Sequence, residues 1–133
     1  MLYFAYGSNL NHFQMKMRCK DSIFLKKISL NNFKLTFRSK YRAADIEYKK
    51  GFLVPGGLFE ISKSDEKKLD IYEDYPILYK KYYFIYNQKK VMTYTMVKKS
   101  RFTFPREKYL NIIRLGYRDC VLDKSSIYKA LKG

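Results

Sequence analysis

Apolar residues recur along this chain in short runs, continuous or alternating, cut by turn-forming residues; only a few stretches carry them at helical spacing. Leu2–Tyr6 is a short continuous apolar run, the pattern of a buried strand, and Gly7-Ser8-Asn9 breaks it. Lys34–Arg38 alternates polar and apolar, as a half-buried strand does. Leu58–Ile61, Tyr79–Tyr86 and Val91–Val97 read as further strands, the last two joined in a hairpin by Asn87-Gln88-Lys89. Ser22–Leu30 also reads as a strand, with a turn at Asn31-Asn32. Ala43–Tyr48 reads as an extended segment, and Val54-Pro55-Gly56-Gly57 as a break before Leu58. Helices are predicted from Asn11 to Arg18, and from a cap at Ser62 or Ser64 to about Glu73, short of Pro76. A third follows Pro105 on the spacing of Tyr109, Leu110, Ile112 and Ile113 and ends at Gly116. A fourth spans Ser125–Leu131 with Ser125 as its cap. There is no repeat and no low-complexity linker. Strands with interspersed helices over residues 1–133 imply one α+β domain, a small mixed β-sheet or barrel with surrounding helices.

Hydrophobic residues make up 47% of the 133, enough to bury a core. The aromatics are 14 Tyr and 10 Phe with no Trp. Buried tyrosines need partners for their hydroxyls, so some of them are expected to line a cavity or its rim. The formal charge is +16, from 28 Lys and Arg against 12 Asp and Glu. These cations are spread along the chain, with short clusters such as Lys26-Lys27, Lys67-Lys68 and Lys98-Lys99 and no run of five or six. A solvated lysine-rich surface accounts for that pattern; the alternative is non-specific attraction to nucleic acid or an acidic protein. Cys19, Cys120 and the single His12 do not form a zinc-ligand pattern. Cys19 and His12 are two helical turns apart and too distant to form a nucleophilic pair. Two buried thiols, no signal-peptide pattern and no apolar stretch approaching a membrane span together imply a cytoplasmic protein with no membrane partner.

Two places carry candidate chemistry. Tyr6-Gly7-Ser8-Asn9-Leu10 is a glycine turn between a strand and a helix, which presents consecutive backbone N–H groups to an anion or a developing oxyanion. The same residues also serve as ordinary turn and cap chemistry. The second place is Glu73. It lies one turn beyond Leu69 on the inner stripe of its helix, near the negative end of the helix dipole, with no Lys or Arg at pairing distance along the helix. Each factor disfavours the carboxylate and predicts a pKa raised toward the range useful for acid/base work. The alternative is a glutamate exposed at a frayed helix end.

Tyr3-Phe4-Ala5-Tyr6-Gly7-Ser8-Asn9-Leu10-Asn11, with Met15 and Arg18-Cys19 behind it, resembles the opening of γ-glutamylcyclotransferase-like proteins. Val54–Ile61 is similar to that family's central strand, and Leu69-Asp70-Ile71-Tyr72-Glu73-Asp74-Tyr75-Pro76 to its Leu-Asp-x-x-Glu-Gly-Tyr-Pro segment. Tyr94-Thr95-Met96 and Gly116-Tyr117-Arg118-Asp119 also fit, so the resemblance runs in order along nearly the whole chain. It implies that Tyr6, Gly7, Ser8, Asn9 and Leu10 hold the γ-glutamyl part of a small substrate and its oxyanion. It implies that Glu73 is the general acid/base, and that Tyr79, Tyr94 and Tyr109 stand at the pocket. The implied reaction cyclises the γ-glutamyl group to 5-oxoproline and frees an amine, without metal or cofactor. Asp74 departs from the family's glycine; a neighbouring carboxylate would raise the Glu73 pKa further or disturb the turn. The alternatives are a basic binding module on the same fold, or a metabolite-binding protein without turnover. The oligomeric state is not implied.

Overall fold

The apolar run at the start of the chain forms strand β1 (Leu2–Ala5) in the middle of a five-stranded sheet. The structure is a computed structural model and describes residues 1–133. β1 pairs antiparallel with β3 (Ala43–Glu60) on one side and parallel with β5 (Lys89–Met96) on the other. β2 (Ile23–Arg38) pairs antiparallel with β3, and β4 (Tyr79–Tyr86) antiparallel with β5, giving the order β2-β3-β1-β5-β4. Of the two expected forms, sheet or barrel, the mixed sheet is the one found. It is open, with β2 and β4 as its edges. Four helices surround it: α1 (His12–Arg18), α2 (Lys63–Tyr72), α3 (Glu107–Asp119) and α4 (Ser125–Leu131). One cluster of 29 buried hydrophobic residues joins sheet and helices. No helix is long and apolar enough to cross a membrane.

Four local expectations are corrected. Asn31-Asn32 is not a turn: β2 continues through it, and the pairing with β3 shifts register between Asn31 and Phe33. Asn32 takes φ 63°, which asparagine tolerates, and its side chain accepts from the Gly51 N–H at 3.1 Å; the surplus at this irregularity lies on β3, where residues 49–52 stand opposite Asn32. Val54-Pro55-Gly56-Gly57 is not a break either, because β3 runs through it. β1 pairs with β3 only from Gly57 onward, so Pro55, opposite Ser29 of β2, faces no β1 partner that needs its missing N–H. Gly56 lets the strands approach closely: a Cβ there would lie 2.4 Å from both the Ala5 carbonyl oxygen and the Phe4 ring.

Gly116 does not end α3; it lies inside the helix where the backbone of Leu10 and Asn11 crosses it. A Cβ at Gly116 would sit 2.6 Å from the Asn11 nitrogen. Packing, not termination, explains the glycine. Ser125 is the first helical residue of α4 rather than its cap, and its N–H is taken by Asp123 Oδ1 at 2.7 Å. The cap of α2 is Ser62: its Oγ accepts from the Asp65 N–H at 3.0 Å, while Asp65 Oδ2 accepts from the Ser62 N–H at 3.2 Å.

Candidate active site

β1 delivers the chain to Tyr6-Gly7 and a single 3-10 turn, Ser8–Leu10. The turn spends its Leu10 N–H on the Gly7 carbonyl at 3.0 Å, and the Asn11 N–H goes to the Ser8 carbonyl at 3.1 Å. The N–H groups ahead of these are those a helix start leaves without an internal acceptor. Asn11 then caps α1 by accepting from the Gln14 N–H at 3.1 Å. Arg18, at the end of α1, reaches back over the turn. Its Nη1 donates to Asn9 Oδ1 at 2.5 Å and to Ser8 Oγ at 3.4 Å, and its guanidinium lies 3.6 Å above the centre of the Tyr72 ring. The Tyr72 hydroxyl is 3.2 Å from Ser8 Oγ, and Asn9 Nδ2 donates to the Tyr3 hydroxyl at 3.0 Å. Arg18 thus ties the turn to the last turn of α2 by charge, stacking and hydrogen bonds together.

That last turn of α2 places Glu73. It is the C-cap residue, with its N–H bound to the Leu69 carbonyl at 2.8 Å. Glu73 and the Gly7-Ser8-Asn9 turn line one cavity of about 500 Å³. Burial pushes the Glu73 carboxyl up to about 7, and the Arg18 guanidinium opposes that rise only in part. Asp74 is not among the causes of that shift. Its φ is 52°, the left-handed conformation that explains why glycine suits the position and aspartate is tolerated there.

Tyr6, Tyr79, Tyr94 and Tyr109 all line this cavity. Their hydroxyls hold the walls: Tyr6 donates to the Tyr94 carbonyl at 2.7 Å, Tyr79 to the Ala44 carbonyl at 2.6 Å, and Tyr94 to Asp70 Oδ1 at 2.6 Å. Tyr109 accepts from the Ala44 N–H at 2.9 Å and keeps its own proton free to donate. Burial pushes all four phenols up, so they remain protonated. Leu10 is the exception among the expected residues. It does not line the cavity but is fully buried in the core, with its N–H already spent on Gly7.

Tyr3, Tyr41, Tyr72 and Ala44 belong to the cavity wall and were not singled out by sequence reasoning as site residues. Arg18 was visible only as part of a motif; its stacking on Tyr72 depends on α1 meeting α2, which local patterns do not encode. A Cys–His contact does exist, but with the other cysteine: His12 Nε2 lies 3.5 Å from Cys120 Sγ. Burial pushes that thiol up to about 12, which leaves it un-ionised and a poor nucleophile. Nowhere do three or more His, Cys, Asp or Glu side chains gather as a metal site would require.

The family profile described as gamma-glutamyl cyclotransferase, AIG2-like, matches residues 3–114. The chain belongs to that family. Among solved structures it is similar to a gamma-glutamyl cyclotransferase at 25% identity, with a TM-score of 0.79, covering 100% of this chain and 86% of the other. An uncharacterised protein from Homo sapiens is similar at 25% identity, with a TM-score of 0.77 and coverage of 99% and 86%. YkqA from Bacillus subtilis shares the fold at 19% identity and a TM-score of 0.81; this chain covers 54% of its length. No curated protein matches the sequence at a significant level.

Proposed function

We propose that the protein cyclises the γ-glutamyl group of a small substrate to 5-oxoproline and releases the attached amine. The observation that carries this reading is the Glu73 carboxyl, raised to about 7 by burial, opening into the same cavity as the Gly7–Asn9 turn. Ring closure joins two atoms of one molecule, so the protein's task is to hold a folded conformer and to move protons. Glu73 as carboxylate takes a proton from the substrate's α-ammonium or amine. The amine nitrogen attacks the γ-carbonyl carbon, and the charge that develops on the carbonyl oxygen is met by backbone N–H groups of Gly7, Ser8 and Asn9. Glu73, now protonated, returns the proton to the leaving nitrogen as its bond to carbon breaks. Tyr109, whose hydroxyl proton is uncommitted, is a second donor available to the substrate. Tyr6, Tyr79 and Tyr94 form the walls that hold the folded conformer.

A basic module on the same fold would explain the +16 charge but would leave a half-buried carboxyl and a tyrosine-lined cavity without a purpose. The same objection applies to a binder without turnover, which gains nothing from a carboxyl poised near neutral pH. The two cysteines are free and buried, which suits a reducing, cytoplasmic setting. The test is 5-oxoproline release from a panel of γ-glutamyl peptides and γ-glutamyl amines. Release from at least one, lost in Glu73→Gln, is expected; no release from any would overturn the reading.

A further inference from the structure

Beside the candidate active site lies a second cavity, about 610 Å³, whose lining includes Lys40, Arg42, Lys98 and Arg101 and no carboxylate. None of these four cations belongs to an ion pair; the salt bridges involve other residues. The groove is built on anchored backbone. Lys99, between two of the cations, turns inward and binds the buried Asp45 at 2.9 Å. The Thr103 N–H donates to the Phe37 carbonyl at 2.8 Å, and Arg38 bridges to Phe102. On the opposite wall Arg42 Nε donates to the Phe104 carbonyl at 2.6 Å, which fixes the guanidinium and leaves its other N–H groups free.

The two cavities share a wall. From the turn that joins β2 to β3 into the first residue of β3, Tyr41 and Ala43 line the first, while Lys40 and Arg42 line the second. Leu78 lines both. A concave surface of one sign focuses its field, and here that surface adjoins the cavity that Glu73 lines.

We propose that this groove receives the leaving half of the substrate, so that the preferred substrates are γ-glutamyl compounds whose amine part carries a further anionic group, a side-chain carboxylate or a phosphate, beyond any α-carboxylate. This rests on the cyclotransferase reading of the first cavity and narrows it. The covalent step is unchanged: the α-amine nitrogen bonds to the γ-carbon, the amide C–N bond breaks, and the proton taken from the attacking amine ends on the leaving one. Lys40, Arg42, Lys98 and Arg101 touch only the leaving part and set which amines are accepted.

The experiment measures binding by calorimetry to Glu73→Gln protein, so that affinity is read without turnover. Two matched pairs are used: γ-glutamyl-glutamate against γ-glutamyl-glutamine, and γ-glutamyl-phosphoethanolamine against γ-glutamyl-ethanolamine. The members of the first pair share an α-carboxylate and differ by one side-chain carboxylate; those of the second differ by a phosphate. In at least one pair the more anionic member is expected to bind tighter by about fivefold or more, the combined effect of several exposed ion pairs. Lys98→Ala with Arg101→Ala should erase that preference, and so should high salt. Equal affinities in both pairs, or a preference that survives the double substitution, would overturn the proposal. So would a double variant that loses only retention of single-stranded RNA, which would make the patch a nucleic-acid surface. Turnover by the wild type separates the two readings. Release of 5-oxoproline without charge preference removes the groove alone; charge-selective binding without release sustains the groove and removes the reaction.

Discussion

Glu73 is a carboxyl held where its charge is unwelcome, and this has consequences for stability and for rate. Its ordinary value is 4.5 and burial raises it to about 7, so the folded protein binds this proton more tightly than the unfolded chain. For a raised carboxyl the stability is fully present below the unfolded value and is lost as pH rises through the folded one. Glu73→Gln should therefore melt higher than wild type at about pH 8, with the gap closing as pH falls toward about 4.5. Thermal melts of both proteins across that range check it; a wild type that melts higher at alkaline pH would contradict the burial argument. The same group should set the acidic limb of kcat/KM, with activity rising through about 7 as the carboxylate forms. Arg18 holds that midpoint down. Arg18→Gln should shift the limb to higher pH, while Arg18→Lys, which keeps the charge, should shift it less. A pH profile unmoved by Arg18→Gln would mean that the guanidinium only positions the turn.

Among the elements, α3 constrains the site by close backbone contact. Leu10 and Asn11 cross it at Gly116 with no room for a Cβ. Gly116→Ala should force the backbone just past the Ser8–Leu10 turn to shift, costing about 1–3 kcal/mol as overpacking does. Denaturant melts and 5-oxoproline release should fall together; an unchanged midpoint would show that the helices separate freely. This crossing also marks what sequence patterns can and cannot disclose. Leu2–Ala5 and Tyr79–Tyr86 were legible as strands because their apolar pattern depends on neighbours along the chain, and Ser62 was legible as a cap for the same reason. Pro55, Gly56 and Gly116 looked like stops because their usual role is local; here each answers to a distant segment. The site divides the same way. Glu73 and Gly7–Asn9 carried recognisable motifs. Arg18 over Tyr72, and Tyr109 against Ala44, arise only when helices and sheet are packed together.

At the scale of the whole molecule, the charge and the cavity are separate features that meet at one wall. The cations are spread along the whole chain, twelve of the 28 in six short pairs, whereas the groove gathers four beside the candidate site without a counter-charge. A field of that sign should speed capture of anionic substrates, so their kcat/KM should fall with added salt while that of neutral analogues stays nearly constant. Parallel salt titrations of a matched substrate pair check this, and identical slopes would contradict it. The sheet order puts β1 at the centre, so the turn that follows it stands beside the end of α2, and residues from opposite halves of the chain share one cavity. The central claim is that this cavity closes a γ-glutamyl group on itself with Glu73 moving the proton. Its most direct test is 5-oxoproline release by wild type and Glu73→Gln on the best γ-glutamyl substrate, with binding and melting of both proteins measured alongside. The account predicts a loss of about 10²–10⁴-fold in rate with ligand binding and fold retained. A folded Glu73→Gln protein that turns over at the wild-type rate would contradict it.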